Sequence, residues 1–186
     1  MHHHQDKKIA ILLADMYEDQ EFWFPYFRLK EAGADVVVIG SKAGETYKSK
    51  HGYPAKADKA PAEVDAQEFD ALIIPGGFGP DFMRRDDLMV DFVRACTERD
   101  MPIAAICHGV WMLCCTDALR GKRATSYFSI RWDVQNAGAT WVDEMCVADG
   151  NIITSRNPDD LPAFCNTILQ KLQLVDEFAE AMQATR

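Results

Sequence analysis

The sequence predicts a doubly wound α/β domain, and three observations carry that prediction. Short apolar runs recur along the chain: IAILLA (Ile9 to Ala14), VVVI (Val36 to Ile39), ALII (Ala71 to Ile74), IAAI (Ile103 to Ile106) and IIT (Ile152 to Thr154). Their hydrophobicity is continuous rather than alternating, as expected of strands buried on both faces in a parallel sheet. Helical patterns lie between them, and such alternation of strand and helix signals puts helices on both faces of one sheet.

Taken in order, the first run is followed by LLADMYEDQEF, whose acids Glu18, Asp19 and Glu21 open a helix where the macrodipole favours carboxylates. FWFPYF, Phe22 to Phe27, then places five aromatics in six positions, more than one core-facing stripe buries. Core packing around Pro25 and contact with another subunit both remain open for it. KSKHGYPAKAD, Lys48 to Asp58, reads as a hairpin or irregular excursion around its Gly and Pro. Leu88, Phe92, Ala95 and Cys96 fall on one face of a crossover helix that Pro102 prevents from continuing. VADGNII carries the Asp149-Gly150 turn of a second hairpin.

The 186 residues suit a single core, expected over residues 8–172, with 1–7 as an N-terminal extension and 173–186 as a C-terminal helical tail. With 48% hydrophobic and 26% charged residues the composition is that of a soluble globular protein, and no apolar stretch approaches the roughly 20 residues of a membrane helix. The net charge is −9 and no Lys/Arg stripe is present, which argues against nucleic acid as a partner. MHHHQDKK has no secretory h-region and reads as a solvated start or a shortened purification tag rather than a metal tract. The cysteines at 96, 107, 114, 115, 146 and 165 lack disulfide-scaffold spacing and contain no CxxC pair, which fits a reducing cytoplasm. No cofactor or metal is expected.

In a doubly wound sheet, chemistry sits beyond the carboxyl ends of the strands. At the end of Ile103 to Ile106 stands AICHG. Cys107 on a strand-turn-helix bend would be exposed to free helix amides that favour thiolate, although a buried structural cysteine fits the same five letters. In ALIIPGGFGPDF, Gly76 and Gly77 can turn their amides toward a developing oxyanion. Glu18 is the candidate for a carboxyl held beside sulfur, kept protonated by repulsion and burial and donating a hydrogen bond to it. Asp19 and Glu21 read as ordinary helix-start acids. No histidine follows His108, so a downstream Cys-His-Glu triad cannot be built, and His108 itself is the candidate base. Cys114, seven residues after Cys107, and the four other cysteines read as structural.

Together, ADMYEDQEFWFPYFRLKEAGADV, SKHGY, FDALIIPGGFGPDFMR, AICHG, LRGKRATSY and NAGATWVDE resemble the PfpI family of intracellular cysteine peptidases and glyoxalases, within the DJ-one superfamily, from about Lys8 to Leu172. The resemblance implies a flavodoxin-like sandwich of the class I glutamine-amidotransferase type, an adjacent Cys107–His108 pair, and Glu18 contacting the sulfur. It also implies that His108 is oriented by an acid from a neighbouring subunit. The family has APERVR there and this chain has GPDFMR, so the acid becomes Asp81, one methylene shorter. CHGVW stands for CHGP-Gln and TSYFS for TSYPG, placing Val110 and Trp111 at the pocket mouth while retaining Tyr127 as a lining residue. The implied activity is attack on reactive carbonyls, as a glutathione-independent glyoxalase or protein deglycase with weak peptidase activity, in a dimer or a hexamer built as a trimer of dimers. A non-enzymatic oxidative-stress sensor or chaperone built on an oxidisable Cys107 is the alternative.

Overall fold

The computed structural model describes residues 7–174, so all of the expected N-terminal extension but Lys7, and most of the expected C-terminal tail, lie outside the described residues. In chain order the elements are β1 (Lys8–Leu12), α1 (Asp19–Glu31), β2 (Asp35–Ile39), β3 (Thr46–Lys48), β4 (Pro54–Lys56), β5 (Ala71–Ile74), α2 (Gly79–Met83), α3 (Asp87–Glu98), β6 (Ile103–Ile106) and α4 (Val110–Leu113). There follow β7 (Arg123–Ala124), α5 (Arg131–Asn136), β8 (Thr140–Trp141), β9 (Cys146–Asp149), β10 (Ile152–Ser155) and α6 (Leu161–Leu172). All five apolar runs are strands of one six-stranded sheet, ordered β2-β1-β5-β6-β10-β9. Every pairing is parallel except β9 against β10, the hairpin turned by Asp149 and Gly150. β3 and β4 pair antiparallel, as the Gly/Pro-centred segment suggested.

Because strand side chains alternate, the runs feed two cores at once. Ala10, Leu12, Leu72, Ile74, Ile103 and Ala105 face α3 and α4, packing with Met89, Phe92, Val93 and Leu113. Ile9, Ile11, Ile73, Ala104, Ile106 and Ile153 face α1 and α6, packing with Phe22, Leu29, Phe164 and Ile168. The α3 stripe differs from the one expected: Met89, Phe92, Val93 and Cys96 are buried, whereas Leu88 is 55% exposed. Asp86 is the reason. Its carboxylate accepts from the Leu88 amide and sets the helix start so that Leu88 points outward in the first turn. The aromatic segment of α1 divides by phase, with Phe22 and Pro25 buried and Phe24 and Phe27 exposed. Among the described residues no helix is long and apolar enough to cross a membrane.

The chain leaves β1 toward β2 on one side and returns to β5 on the other. The loops after β1, β5 and β6 therefore converge at the switch point, at the carboxyl edge of the sheet. Two of them are laced together by a bridge between Tyr17 and Gly77 and by bonds from the Phe78 and Gly79 amides to the Met16 carbonyl.

Candidate active site

β6 runs without interruption into the bend. Cys107 takes φ 59°, the left-handed region, which costs a non-glycine residue about 1–3 kcal/mol and persists only where the surroundings impose it. The surroundings are close indeed: a Cβ on Gly109 would lie 2.3 Å from the Ile74 carbonyl oxygen and 2.9 Å from that of Pro75. Gly109 is thus the contact by which the bend docks onto the end of β5. One 3₁₀ turn, Cys107–Gly109, passes into α4, which has only four residues. The helix of that bend stops there, and a dipole of that length does little for a thiolate. Instead, the individual amides of His108 and Gly77 face the sulfur and favour its charged form.

The carboxyl beside the sulfur belongs to Glu21, not to Glu18 as the resemblance implied. Glu21 lies on the inward stripe of α1 with Pro25 and Leu29, at i, i+4 and i+8, and is fully buried. One carboxyl oxygen accepts from the Gly76 amide at 2.9 Å; the other, Oε1, has no well-formed bond, and the carboxyl's remaining polar neighbour is the Cys107 thiol. Burial, then the charge of Glu18, push the Glu21 carboxyl up to about 8. Burial, with Glu21 adding repulsion, pushes the Cys107 thiol up as well. At neutral pH the resting site thus holds a protonated carboxyl against a thiol, not the freestanding thiolate that a helix terminus alone suggested. Glu18 stands one residue before α1 and is ion-paired with Lys50 of the β3–β4 turn. Gly76 also changes role, because its amide is committed to Glu21 and only the amides of Gly77 and His108 remain for an oxyanion. Neither glycine tolerates a side chain: a Cβ on Gly76 would sit 2.5 Å from Glu21 Oε2 and 2.8 Å from Cys107 Cβ.

His108 presents Nδ1 to Cys107 Sγ at 3.4 Å and Nε2 to the Ser129 hydroxyl at 3.3 Å. Its ring packs between Trp111 and Tyr127, each with its centroid 5.0 Å away. Burial, and then the Lys50 charge, lower its pKa, so the imidazole is neutral and able to accept a proton. Within one chain Asp81 does not take part. It lies on α2 and is ion-paired with Arg85 one turn on. Val110 is not at the mouth of the pocket but wholly buried in the α3–α4 core, while Trp111 is half-buried at the site.

Glu21, Lys50 and Ser129 are the residues that sequence reasoning missed. Glu21 was visible in principle, since an acid spaced four and eight residues before Pro25 and Leu29 shares the buried face of an amphipathic helix. Lys50 and Ser129 reach the site from a hairpin and a loop, with no periodicity to announce them. Among the described residues one group has metal-ligand spacing, Glu18, Asp19 and His51. Its charges are already satisfied, Glu18 by Lys50 and Asp19 by His51 and the Ser49 hydroxyl.

Comparison with known proteins agrees with this geometry. The model of the DJ-1/PfpI family matches residues 7–171. The Bacillus subtilis (strain 168) protein named putative cysteine protease YraA is 49% identical over 167 residues, covering 90% of this chain and 99% of that protein. The Staphylococcus aureus (strain Mu50) protein SAV1875 is 44% identical over 169 residues, with 90% and 99% covered. Among solved structures, Drosophila melanogaster DJ-1beta superposes with a TM-score of 0.86 at 31% identity, covering 97% of each chain. A two-domain Anabaena variabilis protein with DJ-1/ThiJ/PfpI-like and ferritin-like domains superposes with a TM-score of 0.88 at 48% identity; 90% of this chain is covered, spanning 48% of that one. The sheet order, the strand-end bend and these matches lead to one statement: the chain belongs to the DJ-1/PfpI family.

Proposed function

We propose that the protein is a cysteine-dependent enzyme acting on reactive carbonyls, of the glyoxalase and protein-deglycase kind, with peptide hydrolysis as a weaker activity of the same groups. The observation that carries the reading is one cluster: Cys107 on its left-handed bend, neutral His108 3.4 Å from its sulfur, and buried Glu21 against it. With an α-oxoaldehyde, His108 removes the thiol proton as the S–C bond forms and the carbonyl π-bond breaks. The alkoxide is received by the Gly77 and His108 amides and protonated by the imidazolium. Neutral again, His108 takes the hydrogen from the former aldehyde carbon and the electron pair moves to the neighbouring ketone. Return of that proton to the ketone carbon, with the hydroxyl proton passing from the sulfur-bearing carbon's oxygen to the former ketone oxygen, gives a thioester. Water then attacks, the C–S bond breaks and the thiol regains its proton, leaving a 2-hydroxy acid with one water added and nothing oxidised overall. Glu21, holding its proton, hydrogen-bonds the sulfur whenever it carries charge.

An electrophilic aldehyde suits these parts better than an amide. Expelling an amine asks for a strongly held acid, and within the chain His108 Nε2 meets only the Ser129 hydroxyl. Wild-type protein is expected to consume methylglyoxal without glutathione, and Cys107→Ser to fall to background. No turnover by wild type would remove the glyoxalase reading and leave the redox-sensor alternative.

The exposed aromatic ridge of Phe24, Phe27 and Tyr53, joined by half-buried Trp23, supports a homo-oligomer. In such an assembly Asp81 of a second copy is free to orient His108. Co-assembly of two inactive chains, Asp81→Ala and Cys107→Ser, is then expected to restore methylglyoxal turnover. If the mixture stays inactive, or Asp81→Ala alone is fully active, His108 is oriented within its own chain by Ser129. Six free thiols support residence in a reducing cytoplasm.

A further inference from the structure

The rim of the site carries one cation to which the reaction above gives no task. Arg84 ends α2, the short helix that packs against the Cys107 turn and α4, and its side chain is exposed. Its guanidinium lies over the Trp111 ring, 5.3 Å from the centroid, and the indole meets the His108 ring edge-on at 5.0 Å. The chain's other arginines near this end are mostly spoken for: Arg85 pairs with Asp81, Arg94 with Asp91, and Arg120 with Asp117. Among the described residues the guanidinium of Arg84 has neither an ion pair nor a hydrogen bond. Lys50, the other cation close to the site, is neutralised by Glu18.

The position of this arginine over Trp111 has a geometric effect. A guanidinium held over an aromatic face and paired with no acid keeps N–H donors free for a carboxylate. From the sulfur the contacts run to His108 at 3.4 Å, from His108 to Trp111 at 5.0 Å and from Trp111 to Arg84 at 5.3 Å, so Cys107 and Arg84 are two side chains apart. That separation suits a carboxylate two or three carbons from the carbonyl under attack.

We propose that Arg84 is the carboxylate anchor of the substrate site, so that the preferred substrates are α-oxoaldehydes bearing a carboxylate a few atoms from the reacting carbonyl. The substrate class rests on the carbonyl chemistry of the preceding section; the anchor itself rests on the Arg84–Trp111–His108 contacts. For 4,5-dioxopentanoate the chemistry is that already written: sulfur bonds to the aldehyde carbon, hydrogen passes to the ketone carbon by way of His108, and water releases 2-hydroxyglutarate. The distal carboxylate is unchanged throughout and serves only for binding.

Two measurements test this on the full-length protein. Steady-state kinetics with 4,5-dioxopentanoate and methylglyoxal compare wild type with Arg84→Gln, Arg84→Lys and, as a remote loss of charge, Arg94→Gln. Arg84→Gln is expected to raise KM for the carboxylate substrate about tenfold with kcat little changed and methylglyoxal unaffected, the size of one charge-assisted hydrogen-bonding contact. Arg84→Lys should recover part of that loss, and Arg94→Gln should behave as wild type. The second measurement needs no turnover: the rate of Cys107 alkylation by anionic iodoacetate relative to neutral iodoacetamide, followed on the Cys107 peptide. Its ratio is expected to drop several-fold in Arg84→Gln alone. An unchanged ratio, or equal KM effects on both aldehydes, overturns the anchor. A falling ratio in a protein that consumes neither aldehyde overturns the carbonyl reading and keeps the anchor.

Discussion

Glu21→Gln is expected to make the protein more stable at pH 7 while removing its activity. Burial pushes this carboxyl up to about 8 from an ordinary 4.5, so the sign of its contribution follows directly. Between those two values the unfolded chain has given up the proton and the folded chain has kept it. Stability therefore falls as pH rises through that window, and above about 8 the full cost remains but no longer changes with pH. At pH 7 the cost is on the order of 3 kcal/mol. Glutamine does not titrate, accepts from the Gly76 amide with its oxygen and can offer its NH₂ to the sulfur, so it escapes that cost. The expected gain in Tm at pH 7 is roughly 6–12 °C for a chain of this size. It should shrink toward zero near pH 4, where the unfolded carboxyl is protonated too. Methylglyoxal turnover should fall about 10²–10³-fold, because an amide N–H is a weaker donor to the developing thiolate than the carboxyl O–H that Glu21 keeps. Glu18→Gln is the comparison. Thermal melts across pH, run beside turnover, check both halves; a destabilised Glu21→Gln at pH 7 would mean that the carboxyl is ionised in the folded protein.

Gly109→Ala is expected to cost at least about 3 kcal/mol, the upper end of what overpacking usually does. The added methyl would meet the Ile74 and Pro75 carbonyl oxygens at 2.3 and 2.9 Å, and both belong to the backbone of β5 and its exit. No side chain can rotate out of the way, so the bend must lift from the strand. Cys107 would then lose the packing that holds it at φ 59°, and its sulfur would lose the Gly77 amide across the gap. Gly121→Ala makes an informative control, since Gly121 has φ 71° but nothing within 4 Å of a Cβ. It should lose only the left-handed penalty, about 1–2 kcal/mol, with full activity per folded molecule. Denaturant melts separate the two, and equal losses would show that backbone conformation rather than docking dominates at Gly109.

The fold was legible because burial on both faces writes itself into a strand as a continuous apolar run, and all five runs became neighbours in one sheet. Cys107, His108 and the glycine turn were legible for a related reason: chemistry at strand ends needs residues that apolar strands exclude. Glu18 and Glu21 show where that legibility stops. Both acids sit at the start of one helix, and which faces the thiol depends on helix phase, fixed only when Pro25 and Leu29 are recognised as its inward stripe. Gly76 was read as an oxyanion donor because a free amide in a turn looks the same whether it meets substrate or a buried carboxyl. Val110 was placed at the pocket by the family pattern CHGP-Gln that CHGVW replaces, yet at this tight turn the side chain swings into the opposite core.

The lacing of the Tyr17 loop to Gly77 has a consequence for how activity arises during folding. Glu21 and the Gly76 amide are 55 residues apart in sequence, and Cys107 comes from a third segment still further along. Each contact closes a long loop, and the entropic cost of those closures must be met before any two of the groups touch. No early hairpin or isolated helix can carry a fragment of the site. Turnover should therefore appear together with the completed sheet, so that the thiol acquires its acid partner only in a chain that has already excluded water from both cores.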